Sequence, residues 1–184
     1  MRYRLYYFFY FLFLLEIAWP NPFQDFFLNE NKSGIERAGD VIAIALPVSG
    51  LSSTYVLKNK NDKTKFWKSY LSSLSLTYLL KYSINKERPN GSCCESFPSG
   101  HTTSAFSGAM FIQKKYGYKY GIPCLALASF VGYSRVYADM HYWEDVFVGA
   151  TIGMLGSIIF SGDRVNWSLF KNNNNLNLSV NLNL

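Results

Sequence analysis

Long apolar stretches, separated by short polar segments, run through most of the chain. They cover residues 38–57, 69–87, 118–138 and 141–160, and a stretch rich in small residues covers 99–115. Stretches of this length are typical of helices, because strands seldom exceed about ten residues. No period of about 20–50 residues relates the stretches, which excludes a repeat architecture. The pattern predicts an all-α fold, a helical bundle of about five or six helices.

The two ends of the chain differ from this central pattern. Residues 1–19 begin with basic residues and continue into an apolar run from Leu5 to Leu15, the layout of a secretory signal. That run is shorter than the ~20 residues of a membrane span, so a signal peptide and an N-terminal anchor both remain open. A helical domain over 20–165 follows, and then a polar, low-complexity tail over 166–184. The tail ends in a strand-like alternation, but an isolated strand has little stability, so we expect disorder.

Turn-forming residues mark where the central helices end. Arg88 precedes Pro89, and the residue before a proline disfavours the helical region, so the helix over 69–87 ends there. Residues 89–98 form a loop, and Ser99 is a candidate N-cap for the next helix. The small residues of that helix allow close packing against a neighbour; they are Ser104, Ala105, Gly108 and Ala109.

Two lysine-rich segments stand out in a chain with a net charge of +6. They cover 58–68 and 114–119, and we expect both to be loops. No recognition helix, zinc knuckle or aromatic-basic platform accompanies them, which argues against a nucleic-acid partner. If the N-terminus starts on the cytoplasmic side of a membrane, successive spans put both segments on the cytoplasmic side, as the positive-inside rule requires. This agreement favours a polytopic membrane protein with residues 89–98 and 138–142 on the outer face.

Cysteine and metal chemistry have little support in the sequence. Cys93 and Cys94 are adjacent and Cys124 lies in an apolar run, and neither arrangement matches a zinc site or a C-x-x-C redox motif. We therefore expect unpaired thiols, no metal and no cofactor. The chain has two histidines, His101 and His141, so any histidine chemistry uses one or both.

Candidate anion-binding residues fall on the same outer side of the predicted bundle. Lys81 and Arg88 are seven positions apart, which puts them near one face of a helix. Ser99 and Gly100 open a helix and offer a hydroxyl and free backbone N–H groups to an anion. Arg135 adds a third cation. Ionisable groups at the borders of membrane spans are costly and therefore usually functional.

The two histidines complete a site suited to phosphoryl transfer. His141 and Asp145 are at i and i+4, a spacing that lets the carboxylate fix the imidazole tautomer and stabilise its charged form. One histidine can then attack phosphorus while the other protonates the leaving oxygen. The three cations can supply the charge stabilisation that magnesium supplies elsewhere.

Three spaced motifs give this site a family resemblance. They read KYSINKERP, PSGH and SRVYADMHYWED, and lie between residues 81 and 145. The sequence resembles the type 2 phosphatidic acid phosphatase superfamily, which includes lipid phosphatases, bacterial acid phosphatases and vanadium haloperoxidases. The family pattern, K-x6-R-P, P-S-G-H and S-R-x5-H-x3-D, is met without departure. The resemblance implies a helical core that needs no metal for phosphatase activity.

The resemblance also implies a role for each matched residue. It makes His141 the nucleophile that forms a phosphohistidine, Asp145 its orienting carboxylate, and His101 the acid for the leaving group and later the base for water. It assigns the phosphate clamp to five residues: Lys81, Arg88, Ser99, Gly100 and Arg135.

Together these features predict a metal-independent phosphatase that acts on lipid phosphate or pyrophosphate monoesters. We expect a bacterial-type inner membrane location with the active site facing the periplasm. Candidate substrates are phosphatidic acid, phosphatidylglycerol phosphate, undecaprenyl pyrophosphate and lipid A. Three alternatives remain: a soluble, secreted, nonspecific acid phosphatase of the periplasm, a vanadate haloperoxidase, and a non-catalytic membrane scaffold with a relict site.

Overall fold

The structure, a computed structural model, describes residues 32–56, 60–161, 165–172 and 175–182. Its helices are α1 (Gly34–Val56), α2 (Lys60–Ile84), α3 (Gly100–Tyr116), α4 (Tyr118–Tyr137) and α5 (Trp143–Phe160), and its strands are β1 (Val165–Asn172) and β2 (Asn175–Leu182). The predicted helical bundle of about five or six helices is confirmed, with five helices among the described residues, and the two strands after it were not part of the predicted all-α fold. The N-terminal signal or anchor, predicted over 1–19, lies outside them.

Helix α3 lies at the centre of the bundle and packs against the other four helices. Small and medium side chains of α1, α3 and α4 form the core: Ala43, Leu46, Ala105, Ala109, Ala128 and Val131. A Cβ added at Gly108 would lie 2.5 Å from the backbone nitrogen of Pro47, so α1 and α3 approach too closely for any side chain there. The close packing predicted for α3 is therefore present.

Successive helices run in opposite directions, and two of the connections between them are short. Gly117 alone separates α3 from α4, and residues 138–142 separate α4 from α5. One end of the bundle thus collects the N-termini of α1, α3 and α5 with the C-termini of α2 and α4. Both lysine-rich segments lie at the other end, where Lys115 of α3 pairs with the buried Asp62 of α2.

The prediction that these lysine segments are loops is wrong for most of their residues. Residues 60–68 form the first turns of α2, and Lys114 and Lys115 form the last turn of α3, as the helix predicted over 99–115 already implied. Lysine is a good helix former, and these residues lie at helix ends, where long charged side chains reach solvent. The second helix also ends at Ile84, three residues before the predicted boundary.

Two further expectations need correction. The tail was expected to be disordered, but β1 and β2 form a two-stranded antiparallel sheet in which Val165 pairs with Leu182 and Asn172 with Asn175. The alternating residues near the C-terminus thus have a partner strand, which the expectation of a single strand overlooked. The sulfur atoms of Cys93 and Cys94, expected to be separate thiols, lie in contact.

Among the described residues, α5 is the helix that is long and apolar enough to cross a membrane. Length and composition support one span in this part of the chain, so the polytopic arrangement stays a prediction.

Candidate active site

His141 and Asp145 lie where α4 gives way to α5. His141 belongs to the connecting segment, and Asp145 to the first turn of α5. His141 is 4% exposed and Asp145 is fully buried. Nδ1 of His141 lies 3.7 Å from Oδ2 of Asp145, in the i, i+4 arrangement that the sequence predicts. Because Nδ1 faces the carboxylate, Nε2 is the nitrogen that remains for a substrate.

The loop between α2 and α3 holds the Asp145 carboxylate in place. Lys86 donates from Nζ to Oδ1 at 2.9 Å, and Ser96 donates from its hydroxyl to Oδ2 at 2.5 Å. The backbone N–H of Tyr142 also donates to Oδ2, at 3.0 Å. These charge-assisted hydrogen bonds fix the carboxylate relative to His141 and tie the loop to α5.

Two cations border the imidazole. Lys81, in the last turn of α2, is 7% exposed and donates to the carbonyl of Glu95. Arg88 is half-buried in the loop. Burial, together with the positive charges of Lys81 and Arg88, lowers the pKa of His141 from 6.5 to about 3 despite the opposing effect of Asp145. The imidazole is therefore neutral at physiological pH, the form that can act as a nucleophile. We call these four residues the His141 cluster: Lys81, Arg88, His141 and Asp145.

A second group forms around a carboxylate of α1. Asp40, which is 1% exposed, lies 2.6 Å from Nη1 of Arg135 and 3.5 Å from Nε2 of His101. Arg135 also donates from Nη2 to the carbonyl of Glu36 and from Nε to the hydroxyl of Ser134. The guanidinium is thus held from several sides in an almost fully buried position. We call Asp40, His101 and Arg135 the His101 cluster.

The N-terminus of α3 joins the two clusters. The backbone N–H of Ser99 donates to the carbonyl of Asp145 at 3.0 Å. Ser99 is the N-cap of α3, as predicted, and its hydroxyl accepts from Thr102. A Cβ added at Gly100 would lie 3.8 Å from Cε of Lys81, so the helix start and this lysine border the same space. The structure therefore brings all eight predicted site residues to one end of the bundle.

Three residues of the site escaped the sequence analysis: Asp40, Lys86 and Ser96. The sequence contains one indication for Asp40, which interrupts an apolar stretch. A carboxylate buried among apolar residues needs a partner, so its position points to a buried ion pair or hydrogen bond. Lys86 and Ser96 lie in a polar loop, where lysine and serine are common and do not by themselves indicate a function.

The arrangement is suited to bind an anion next to a nucleophile. Nε of Arg88 is buried and has no hydrogen-bond partner among the described residues. Lys81 and the start of α3 border the same space, and Ser99 can still donate its own hydroxyl proton to a bound oxygen. These donors offer charge-assisted hydrogen bonds to a phosphate beside His141.

Comparisons with known proteins agree with this chemistry. A family model described as the PAP2 superfamily matches residues 63–168, more than half of the chain. A lipid A 4'-phosphatase of Helicobacter pylori is 29% identical over an alignment of 161 residues, which covers 82% of this chain and 81% of that protein. A lipid A 1-phosphatase of Porphyromonas gingivalis is 40% identical over 78 residues, 41% of this chain but 18% of that protein.

The fold has a counterpart among solved structures. The crystal structure of Aquifex aeolicus LpxE superimposes with a TM-score of 0.56 over 73% of this chain and 89% of that one, at 24% identity. This likeness supports the fold. The resemblance drawn from the three motifs is confirmed by the family match, and the relatives' names indicate a phosphatase. The chain belongs to the PAP2 superfamily.

Proposed function

We propose that this chain is a metal-independent phosphatase that hydrolyses lipid phosphate or pyrophosphate monoesters through a phosphohistidine on His141. One observation carries the proposal: a buried, neutral imidazole faces Asp145 through Nδ1 at 3.7 Å and lies beside Lys81 and Arg88. Such a nucleophile next to cations is suited to a dianionic phosphate. The histidine becomes cationic as it attacks, and the negative charge of the bound phosphate offsets its repulsion by Lys81 and Arg88.

In the first step, Nε2 of His141 attacks the terminal phosphorus and the bond between that phosphorus and the leaving oxygen breaks. His101 donates a proton to the leaving oxygen, and the lipid leaves as an alcohol from a phosphate or as a lipid monophosphate from a pyrophosphate. Asp145 stabilises the positive charge that develops on the imidazole. Lys81, Arg88 and Arg135 stabilise the negative charge on the phosphoryl oxygens.

In the second step, a water molecule attacks the phosphohistidine. His101, now deprotonated, takes a proton from this water, and the bond between phosphorus and Nε2 breaks. Inorganic phosphate leaves, and both histidines return to their starting protonation states. One group therefore acts as acid and then as base, which requires a pKa near the working pH.

The names of the relatives support a lipid substrate. Two of the proteins described above are named lipid A phosphatases, and lipid phosphate phosphatase 1 of Arabidopsis thaliana is 39% identical over 75 residues, 33% of this chain and 23% of that protein. The chain covers most of the Helicobacter relative but less than a quarter of the other two. Lipid A is therefore the first substrate to test, followed by phosphatidic acid.

Exposed side chains support a membrane location with several spans. Tyrosine and tryptophan lie exposed at both ends of the bundle, and large aliphatic side chains lie exposed between them. At the site end they are Tyr82, Tyr137, Tyr142 and Trp143, at the lysine end Tyr55, Trp67, Tyr118 and Tyr120, and between them Leu71, Leu76, Ile122, Leu127 and Leu155. Along α4, Tyr118 and Tyr137 are about 28 Å apart at 1.5 Å per residue, close to the ~30 Å of a bilayer core.

The lysine distribution supports an outward-facing site. The helix ends opposite the site carry lysines in both lysine-rich segments, and lysine accumulates on the cytoplasmic side of membrane proteins. We infer that the His141 cluster opens to the periplasmic face.

Phosphate release from lipid A and from dioctanoyl phosphatidic acid, measured in detergent micelles with EDTA present, tests the chemistry. We expect wild-type activity to survive EDTA and His141→Ala to lose it by at least about a thousandfold. Enzyme incubated with ³²P-labelled lipid and quenched with alkaline detergent should carry a label that is stable in base and labile in acid in the wild type, and none in His141→Ala. Wild-type turnover in His141→Ala would refute the mechanism.

Extraction of membranes with alkaline carbonate and then with detergent tests the location. The proposal requires that the protein stay in the pellet until detergent is added. Release by carbonate alone would favour the soluble acid phosphatase.

A further inference from the structure

Lys86 belongs to none of the fixed motif positions, yet it contacts the site directly. It lies between Lys81 and Arg88, in the loop that follows α2. Its Nζ atom is 2.9 Å from Oδ1 of Asp145 and 2.5 Å from Oε1 of Glu144. The same atom lies 4.2 Å from the centre of the Tyr142 ring.

The two oxygens of Asp145 have different surroundings. Oδ1 is the oxygen that Lys86 contacts, while Oδ2 accepts from Ser96 and from the Tyr142 N–H and faces His141. Rotation of the carboxylate about its Cβ–Cγ bond would exchange the two oxygens. A cation on Oδ1 opposes this rotation and so keeps Oδ2 directed toward the imidazole.

We propose that Lys86 is a positioning residue for the nucleophile, acting on His141 through Asp145. It fixes the plane of the carboxylate and offsets part of its negative charge, so that His141 keeps both its orientation and its neutral form. This assignment rests on the function proposed above, in which Nε2 of His141 attacks phosphorus. Glu144, which is 69% exposed, holds Lys86 from the solvent side.

Lys86 has the charge that this role requires. Burial lowers the pKa of Lys86, but hydrogen bonds to Glu144 and Asp145 outweigh this effect, and the net shift is upward. The ammonium therefore stays protonated across the range in which the enzyme would work. The other ionisable groups of the site are Asp40 of α1, Lys81 of α2, Arg88 and Glu95 of the loop, His101 of α3, Arg135 of α4 and Glu144 of α5.

Removal of this cation has two consequences. The carboxylate can rotate, which misaligns His141, and a small displacement of a reacting group can cost about 100-fold in rate. The charge of Asp145 also becomes less compensated, so it favours the protonated imidazole more strongly. The acid limb of the pH profile then moves to higher pH, because more of the enzyme carries a protonated nucleophile.

Three variants test the proposal: Lys86→Met, Lys86→Arg and Lys119→Met. Lys119→Met is the control, because it removes the same charge at the end of the bundle opposite the site. Each full-length protein is assayed on dioctanoyl phosphatidic acid in detergent micelles between pH 2.5 and pH 8, a range that includes the pKa of His141. For Lys86→Met we expect kcat to fall about 10- to 100-fold with little change in KM, and the acid limb to rise by about half a unit or more. Lys86→Arg should recover most of kcat, and Lys119→Met should match the wild type.

Other outcomes would overturn this role. A rise in KM with kcat unchanged would make Lys86 a substrate ligand. A loss of kcat with the acid limb unmoved, together with a large fall in Tm, would make it a structural tie between the loop and α5. His141→Ala is assayed in parallel: if that variant is inactive while Lys86→Met behaves as wild type, the inference about Lys86 fails and the proposed function stands.

Discussion

The two clusters of the site are built in opposite ways. In the His141 cluster, the nucleophile and its carboxylate lie four residues apart and meet through the first turn of one helix. In the His101 cluster, the carboxylate comes from α1 and its partners from α3 and α4, so 61 and 95 residues separate Asp40 from His101 and Arg135. The first pairing is local and the second depends on the packing of three helices.

Because of this difference, the two clusters are sensitive to different structural changes. The pairing of His141 with Asp145 follows from helix periodicity, so it tolerates small shifts of the bundle. The His101 cluster exists only while α1, α3 and α4 stay in register. The close contacts that hold this register, such as Gly108 against Pro47, therefore bear directly on chemistry.

The largest effect that separates the clusters is expected from His101→Ala. Loss of a general acid typically costs about 10²- to 10⁴-fold in rate. We expect kcat for dioctanoyl phosphatidic acid to fall by that factor, and kcat for p-nitrophenyl phosphate to fall less, because its leaving group needs no proton. Equal losses on both substrates would mean that His101 does not protonate the leaving oxygen.

Asp40→Asn should come next, and it affects stability as well as rate. Arg135 would keep a neutral partner but lose the charge that compensates it in a buried position, a change worth about 3 kcal/mol of unfolding free energy. We expect kcat to fall at least tenfold as Arg135 and His101 lose their common anchor. Asp62→Asn is the matched control, because Asp62 is a buried acid paired with Lys115 at the other end. Asp62→Asn should lower Tm and leave the kcat of the folded enzyme unchanged. If kcat fell as much as in Asp40→Asn, the loss in Asp40→Asn would not show that Asp40 anchors Arg135 and His101 for catalysis.

Gly149→Ala tests the contact between the clusters. A Cβ at this position would lie 2.6 Å from the carbonyl oxygen of Ser99, so α5 must move away from the start of α3. We expect a loss of about 1–3 kcal/mol in unfolding free energy, measured by thermal denaturation, with a smaller loss of activity. Gly34→Ala provides the control, because nothing lies within 4 Å of a Cβ at that position. If the two variants had equal Tm values, the two helices would not be in the close contact described.

The last effect concerns pH and belongs to the His141 cluster. The pKa of His141 is about 3 in the folded protein against 6.5 ordinarily, so between these values the unfolded chain binds a proton that the folded chain excludes. Stability therefore rises with pH across this window and is lost as the pH falls from 6.5 toward 3. Tm measured from pH 7 to pH 4 should fall more steeply in the wild type than in His141→Gln. Parallel curves would show that His141 titrates normally.

The sequence predicted what depends on short range and on fixed spacing. The bundle, the N-cap at Ser99 and the juxtaposition of His141 with Asp145 all follow from helix periodicity and capping rules. Asp40 could not be paired with Arg135 in advance, because their contact depends on how α1 packs against α4. The lysines at the start of α2 were misassigned because polar composition suggests a loop, whereas their helical propensity and position at a helix end allow a helix.

The alternation of helix direction has a consequence for the electrostatics of the backbone. Peptide dipoles give each helix a partial positive charge at its N-terminus and a partial negative charge at its C-terminus. Lys81 and Arg135 lie in the last turns of α2 and α4, and Asp145 lies in the first turn of α5. Each side chain therefore carries a charge opposite to that of its helix end, which stabilises the folded state by about 0.3–1 kcal/mol per side chain. The orientation of the helices therefore helps to stabilise the many charges of the site. The partial positive charge at the N-terminus of α3 is left to interact with the bound phosphate.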